Sequence, residues 1–388
     1  MRHNPGVPRR DLRPPLVRAA ASALAFVALS RAVLADEPAA VESAAARFDT
    51  PLHFWVDTAS AAFEADLLRL RPGTVVPWLT SDGRAIDLIE WRSANVSLLT
   101  ARNDYDPILV RRLVDALDAY WRQCVTLCGN APPPDPAKGP LVRGRAIIAE
   151  AVMPASELPI GPERTRSVPV LAVPGVARIS VGTEVLEELL RGLNRADAPA
   201  PLGDRVPLAI ARSFVFFETE LGAAAPERFA PLAHALAFLL AGEAQETLGW
   251  IVPPDDRPFE TIVERYAQDT SARYETLLAK GLGHGDHDAE ALWTALFLHC
   301  RHASGQPRFA SALWRTLYEC PPAADADVAI GNLIVSLSAA GRRSVLDEFR
   351  AWRFPVSELT ELRVREALSP REFDLRKRRD EERKSPAR

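Results

Sequence analysis

ANVSLLTARNDYDPILVRRLVDALDAYWRQCVTLCG, residues 94–129, joins a strand to a long helix through a few polar residues. Its opening ANVSLLTA (94–101) and the preceding RAIDLIEW (84–91) are β-rich runs bounded by SDG and SAN, and read as strands that suit a hairpin. From Asp106 the period changes. Pro107 stands in a first turn, apolar residues recur three and four apart, and Gly129 closes the run, which predicts one amphipathic helix over 106–129. APPPDPAKGP (131–140) is a loop by composition. LVRGRAIIAEAVM (141–153) returns as a strand, and VPVLAVPGVARISV (168–181) is extended and broken by prolines.

Beyond Thr183 the pattern is helical almost to the end. TEVLEELLRGL (183–193), DRVPLAIARSFVFFETEL (204–221), ERFAPLAHALAFLLAG (227–242) and PFETIVERYAQDTSARYETLLAKG (258–281) carry helical spacing. So do the runs starting at 288, 307, 325, 343 and 356. The fold class expected is α+β, with a small N-terminal α/β sheet portion at 36–182 and a predominantly helical portion at 183–368. A densely charged tail, expected to be disordered, closes the chain at 369–388.

The first 35 residues read as a secretory signal peptide. Arg2, Arg9, Arg10, Arg13 and Arg18 form a basic leader, AAASALAFVAL (19–29) a short apolar run, and VLA (33–35) a cleavage site before Asp36. The apolar run is shorter than the ~20 residues a membrane helix needs, so no membrane span is expected after signal removal, and the mature chain is placed in the periplasm or secreted. Apolar content of 47% supports a real core, and a net charge of −4 gives no reason to expect nucleic acid as a partner. Four cysteines in an oxidising compartment invite pairing. Cys124 and Cys128, four apart near a helix end, have Cα atoms about 6 Å apart and are expected to form a disulfide. Cys300 and Cys320 fall on consecutive helices at heights roughly 15 Å apart and are expected to be buried thiols.

VPLAIARSFVFFETEL (206–221) is almost wholly apolar through its first twelve residues, with Arg212 as the single charge. It sits where a zinc helix sits in a strand–helix–strand–helix order. Together with residues 95–121 and 309–357 it resembles a group of exported bacterial proteins distantly similar to gluzincin (enhancin-like) metallopeptidases, over roughly 90–357. The resemblance implies a gluzincin-like scaffold, in which His-Glu-x-x-His on one helix face binds zinc and the glutamate polarises a water. Laid on this chain, Leu208 takes the first histidine, Ala209 the glutamate and Arg212 the second histidine. Leucine has no lone pair, and a guanidinium stays protonated and repels a dication. The helix is therefore expected to be degenerate. The function implied is a non-catalytic binding or structural module for an extracytoplasmic protein or glycan, with no cofactor.

Arg212 is expected to pair with a carboxylate, with Glu218 and Glu220 as candidates, or to snorkel to the surface. GHGDHD (283–288) offers His284, Asp286 and His287 as zinc or calcium ligands, the alternative reading being an active metal-dependent hydrolase; the blander reading is a helix cap. His299, Cys300 and His302 are expected to mark a helix C-terminus, and His234 to be a satisfied core or boundary residue. DADVAIGN (325–332) departs from a calcium loop and is expected to cap a helix through Asp325 or Asp327. Trp55, Trp78 and Trp91 suit a sugar-stacking surface but are more simply core residues among strands. No Gly-x-Ser-x-Gly elbow, phosphate loop or dinucleotide fingerprint is present.

Overall fold

The protein is described by a computed structural model. It covers residues 74–79, 85–101, 104–133, 145–151, 170–172, 176–193, 201–222, 226–250, 259–275, 278–285 and 287–369. The leader at 1–35, Trp55, the side chain of Trp78, Asp286 and all of the tail except Ser369 lie outside the described residues.

The fold is α+β. Six strands, β1 (Thr74–Leu79), β2 (Ala85–Arg92), β3 (Val96–Thr100), β4 (Ala146–Ala151), β5 (Leu171–Ala172) and β6 (Arg178–Gly182), lie in the order β1-β2-β3-β4-β6-β5. β2 and β3 form the expected antiparallel hairpin, with Glu90 opposite Leu99 and Trp91 opposite Leu98. β3, β4 and β6 are parallel neighbours, and parallel strands need a long crossover. Helix α1 (Pro107–Cys128) supplies it between β3 and β4. Asp106 caps α1 by accepting from Ile108 N at 2.8 Å, and Gly129, at φ 79°, ends it with its N–H on Val125 O at 2.8 Å.

β1 carries Pro77 and has no counterpart among the strands read from the sequence. Proline removes a ladder donor and so demotes a strand in any pattern reading. Here the strand stands at one end of the sheet, where proline is tolerated.

Helices follow almost without interruption: α2 (Thr183–Leu193), α3 (Arg205–Ser213), α4 (Glu218–Leu221), α5 (Pro226–Thr247) and α6 (Phe259–Gln268). They continue with α7 (Ala289–Ser304), α8 (Phe309–Tyr318), α9 (Ala326–Gly341), α10 (Leu346–Ala351) and α11 (Glu358–Ala367). Every residue of α9 from Ala329 to Gly341 is buried, as befits a helix apolar all round. Gly331 lets α11 approach it, because an added Cβ would lie 2.7 Å from Thr360 Oγ1. One apolar cluster unites the sheet and the helices: Leu98, Ile148 and Ile179 belong to the same core as Phe214, Leu236 and Trp314. Each such side chain contributes about 1.5–3 kcal/mol by leaving water.

Three expectations need correction. The helix read over 206–221 is two helices, because the chain leaves α3 at Phe214 and turns helical again only at Glu218. Phe214, Val215 and Phe217 are all buried, and at the break the Phe214 carbonyl accepts from Trp314 Nε1 at 3.1 Å. The helix read over 258–281 stops at Gln268. There Asp269 takes hydrogen bonds from Ser271 N (2.8 Å) and Ser271 Oγ (2.6 Å), a local turn that competes with further helix. The Cys124–Cys128 disulfide is not made, and all four cysteines are free and buried. Both residues sit in the unbroken α1, where Cβ atoms four apart stay about 5–6 Å from each other, against the 3.5–4.5 Å a disulfide needs. The adequate Cα spacing was misleading.

Candidate functional site

Helix α3 is held from several sides. Tyr120 of α1 donates its hydroxyl to Pro207 O at 3.1 Å, and its ring stacks on Trp250 at 5.7 Å. Ser213 Oγ donates to Ile210 O at 2.6 Å, and Trp314 Nε1 donates to Phe214 O at 3.1 Å, satisfying a carbonyl where the helix ends. Val206, Pro207, Ala209, Ile210, Ala211 and Ser213 are buried. Arg205 is exposed, and Leu208 and Arg212 are half-buried. Positions 205, 208 and 212 share one helix face. The open stripe of α3 is therefore built from Arg205, Leu208 and Arg212, the last two being the residues that the resemblance sets at the histidine positions, while Ala209 faces inward.

Neither expected partner reaches Arg212. Glu218 is exposed, and Glu220 is half-buried with its Oε2 sealed and without a hydrogen bond. Arg212 Nε is itself buried and unpartnered, and no described residue forms an ion pair with this guanidinium. Zinc does not fit this stripe, because its side chains offer an alkyl group and a fixed cation where a lone pair is required. Just beyond, Phe216, Phe217 and Tyr318 pack with ring centroids 5.2–5.5 Å apart, and Phe217 meets Trp314 edge-on at 5.6 Å.

The His284 region is a tight turn. His284 and His287 exchange backbone hydrogen bonds (2.7 and 3.1 Å) around Gly285, whose φ of 58° requires glycine's freedom. His284 Nε2 lies 3.4 Å from Asp269 Oδ2 and its ring meets Tyr266 edge-on at 5.6 Å. The cap belongs to Asp288, which accepts from Ala291 N at 2.7 Å at the start of α7. Asp325 likewise caps α9 through Val328 N at 2.8 Å. His302 contacts Glu260 at 3.0 Å near the end of α7, His299 packs on Trp352, and His234 lies 3.4 Å from Glu290. Trp91 packs on the core and donates to Thr100 Oγ1 at 3.0 Å. No cluster of three His, Cys, Asp or Glu side chains able to hold a metal occurs among the described residues.

Buried carboxylates that the sequence did not single out organise the rest. Glu150 ends β4 and accepts from Ala101 N (2.8 Å), Thr183 Oγ1 (2.7 Å) and Tyr105 Oη (3.2 Å), tying three segments at the C-terminal edge of the parallel strands. Asp118 of α1 holds the β2–β3 turn through Ser93 Oγ (2.7 Å) and Asn95 N (2.8 Å), and pairs with Arg122 at 2.9 Å. Alternation marked these positions as strand or helix but gave no sign of their long-range partners. A shallow cavity of about 330 Å³ opens near Glu150, lined by Tyr105, Leu109, Glu187 and Arg191. A second, of about 290 Å³, lies by the N-terminus of α3 between Glu188, Leu189 and Arg205.

No family model matches the chain, and no curated protein matches it. Among solved structures it is similar to a functionally unknown conserved protein from Bacillus anthracis str. Ames, in a mutant form, at 13% identity and TM-score 0.47, over 73% of this chain and 52% of the other. A metallopeptidase in complex with Tn antigen matches at 14% identity and TM-score 0.44, over 72% and 50%. A metallopeptidase from Bacteroides thetaiotaomicron matches at 13% identity and TM-score 0.43, over 72% and 45%. The chain spans about half the length of the structures it matches.

Proposed function

We propose that this chain is an exported, non-catalytic binding or structural module built on a metallopeptidase-like scaffold, recognising an extracytoplasmic protein or glycan. The observation that carries the reading is the open stripe of α3. A helix that serves zinc chemistry must turn lone-pair donors toward its cleft, and this one turns Arg205, Leu208 and Arg212 outward. Export is supported by the basic leader, the apolar run at 19–29 and the VLA at 33–35.

The test is metal analysis of the purified mature chain after equilibration with zinc, followed by peptide and glycopeptide hydrolysis with and without chelator. Substoichiometric zinc and no chelator-sensitive turnover would support a binding module. One zinc per chain together with chelator-sensitive hydrolysis would overturn it.

A second reading, a hydrolase whose zinc or calcium is held by His284, Asp286 and His287, is favoured by the backbone pairing that sets His284 opposite His287. Bound metal that vanishes in His284→Ala and His287→Ala would select this reading, and metal content unchanged by both would remove it.

A further inference from the structure

We infer that Arg212 anchors an oxyanion-binding site, and that the ligand of this module carries a carboxylate, sulfate or phosphate group to it. The inference rests on the reading of α3 as a helix that holds no metal.

The other half-buried arginines show what this fold does with a guanidinium. Arg92 pairs with Glu90 at 2.6 Å, Arg111 with Asp115 at 3.1 Å and Arg301 with Glu246 at 2.6 Å, and Arg343 is paired with Glu348. Arg353 has backbone carbonyls instead, those of Tyr266, Ala267 and Ala272. Arg145 donates to Ser93 O at 2.9 Å, and Arg363 reaches Cys320 Sγ. Arg178 and Arg315 also have interactions. Arg212 stands apart from these half-buried arginines of the described residues, because no described residue provides it with an acceptor.

With no acceptor among the described residues, the half-buried guanidinium is left to water or to a group from outside the described fold, and an anion that displaces the water gains a charge-assisted pairing. Arginine's planar fork matches a carboxylate, sulfate or phosphate through two parallel hydrogen bonds. Leu208, one turn back on the same helix face, is half-buried and offers apolar surface beside it. The nearest acidic residues along the chain, Glu218 and Glu220, leave the guanidinium unpaired.

The experiment titrates the full mature chain with sodium sulfate, sodium phosphate and sodium acetate separately, at ionic strength fixed with sodium chloride, and reads heat of binding and thermal midpoint. Saturable binding of at least one oxyanion beyond the chloride background is the expected result, and the three arms show which. Arg212→Met should weaken that binding roughly ten-fold or more, while Arg112→Gln, at an exposed arginine of α1, should leave it within about two-fold. Should Arg212→Met fail to fold, Arg212→Gln carries the test on the same terms. No saturable binding in the wild-type chain, or equal affinity in the Arg212 variant, overturns the site. Stoichiometric zinc with hydrolysis would sink the module reading, whereas a metal-free chain indifferent to all three anions sinks this inference alone.

Discussion

The carboxylate of Glu243 lies 2.7 Å from the backbone nitrogen of Ala310, so that a side chain of α5 caps the N-terminus of α8. Arg308, at the N-cap position of α8, makes no cap of its own, and Glu243 also takes Ser311 N at 3.3 Å. Glu243→Ala would leave these amides unsatisfied inside the core, and is expected to cost about 2 kcal/mol, read by urea denaturation.

The same carboxylate has a pH signature. Burial raises its folded-state pKa above the ordinary 4.5, although the Ala310 and Ser311 amides oppose the shift. A raised pKa means that the folded chain holds the proton longer than the unfolded one. Its contribution to stability is therefore fully present below 4.5 and falls as pH climbs from there through the raised value. Glu243→Gln cannot ionise, so its stability relative to wild type should rise across that window. A flat difference between the two denaturation curves would contradict the buried-carboxylate account.

Glu150 is satisfied only as an acceptor, since both of its oxygens receive donors. Glu150→Ala removes the acceptor from the Ala101 amide and from both hydroxyls at once. The expected cost is about 1–3 kcal/mol. Amide exchange at Ala101 should accelerate in the variant, which local loosening at the strand end would produce and a purely global effect would not.

All four thiols are expected to resist alkylation in the native chain and to react on unfolding. Burial pushes the thiols of Cys124 and Cys128 well up and that of Cys300 to about 12, so little thiolate exists near neutral pH. Mass spectrometry after denaturing alkylation should find four labels. Two labels would restore the 124–128 bridge.

Arg353 has a positive φ of 60°, unusual for a side chain with a Cβ, and spans to the carbonyls of Tyr266 (3.3 Å), Ala267 (2.7 Å) and Ala272 (3.1 Å). It thus closes the C-terminal end of α6 from a distant loop. Arg353→Ala keeps the unfavourable φ and loses the bonds, with an expected loss of about 2 kcal/mol. Arg353→Gly relaxes the φ and should lose less, and the ordering of the two midpoints is the check.

Much of this architecture can be read from local signals. Pro107 with Gly129 delimited α1, Asp288 and Asp325 announced helix starts, and the hairpin at 84–101 is written in its alternation. What escaped were decisions made at a distance. The break after Ser213 goes with a long-range bond from Trp314 Nε1 to Phe214 O, which helical spacing does not encode. The isolation of Arg212 was equally hidden, because Glu218 and Glu220 are close in sequence yet leave it unpaired. The carboxylates Glu150 and Glu243 bond across 33 to 68 positions, well beyond any motif.

Pro77 in the outermost strand has a colloidal consequence. A sheet whose last rung lacks an amide hydrogen is a poor template for a neighbour's strand, and the opposite margin, β5, is only two residues long. Both margins of the sheet formed by the described residues are thereby poor starting points for ladder growth between molecules.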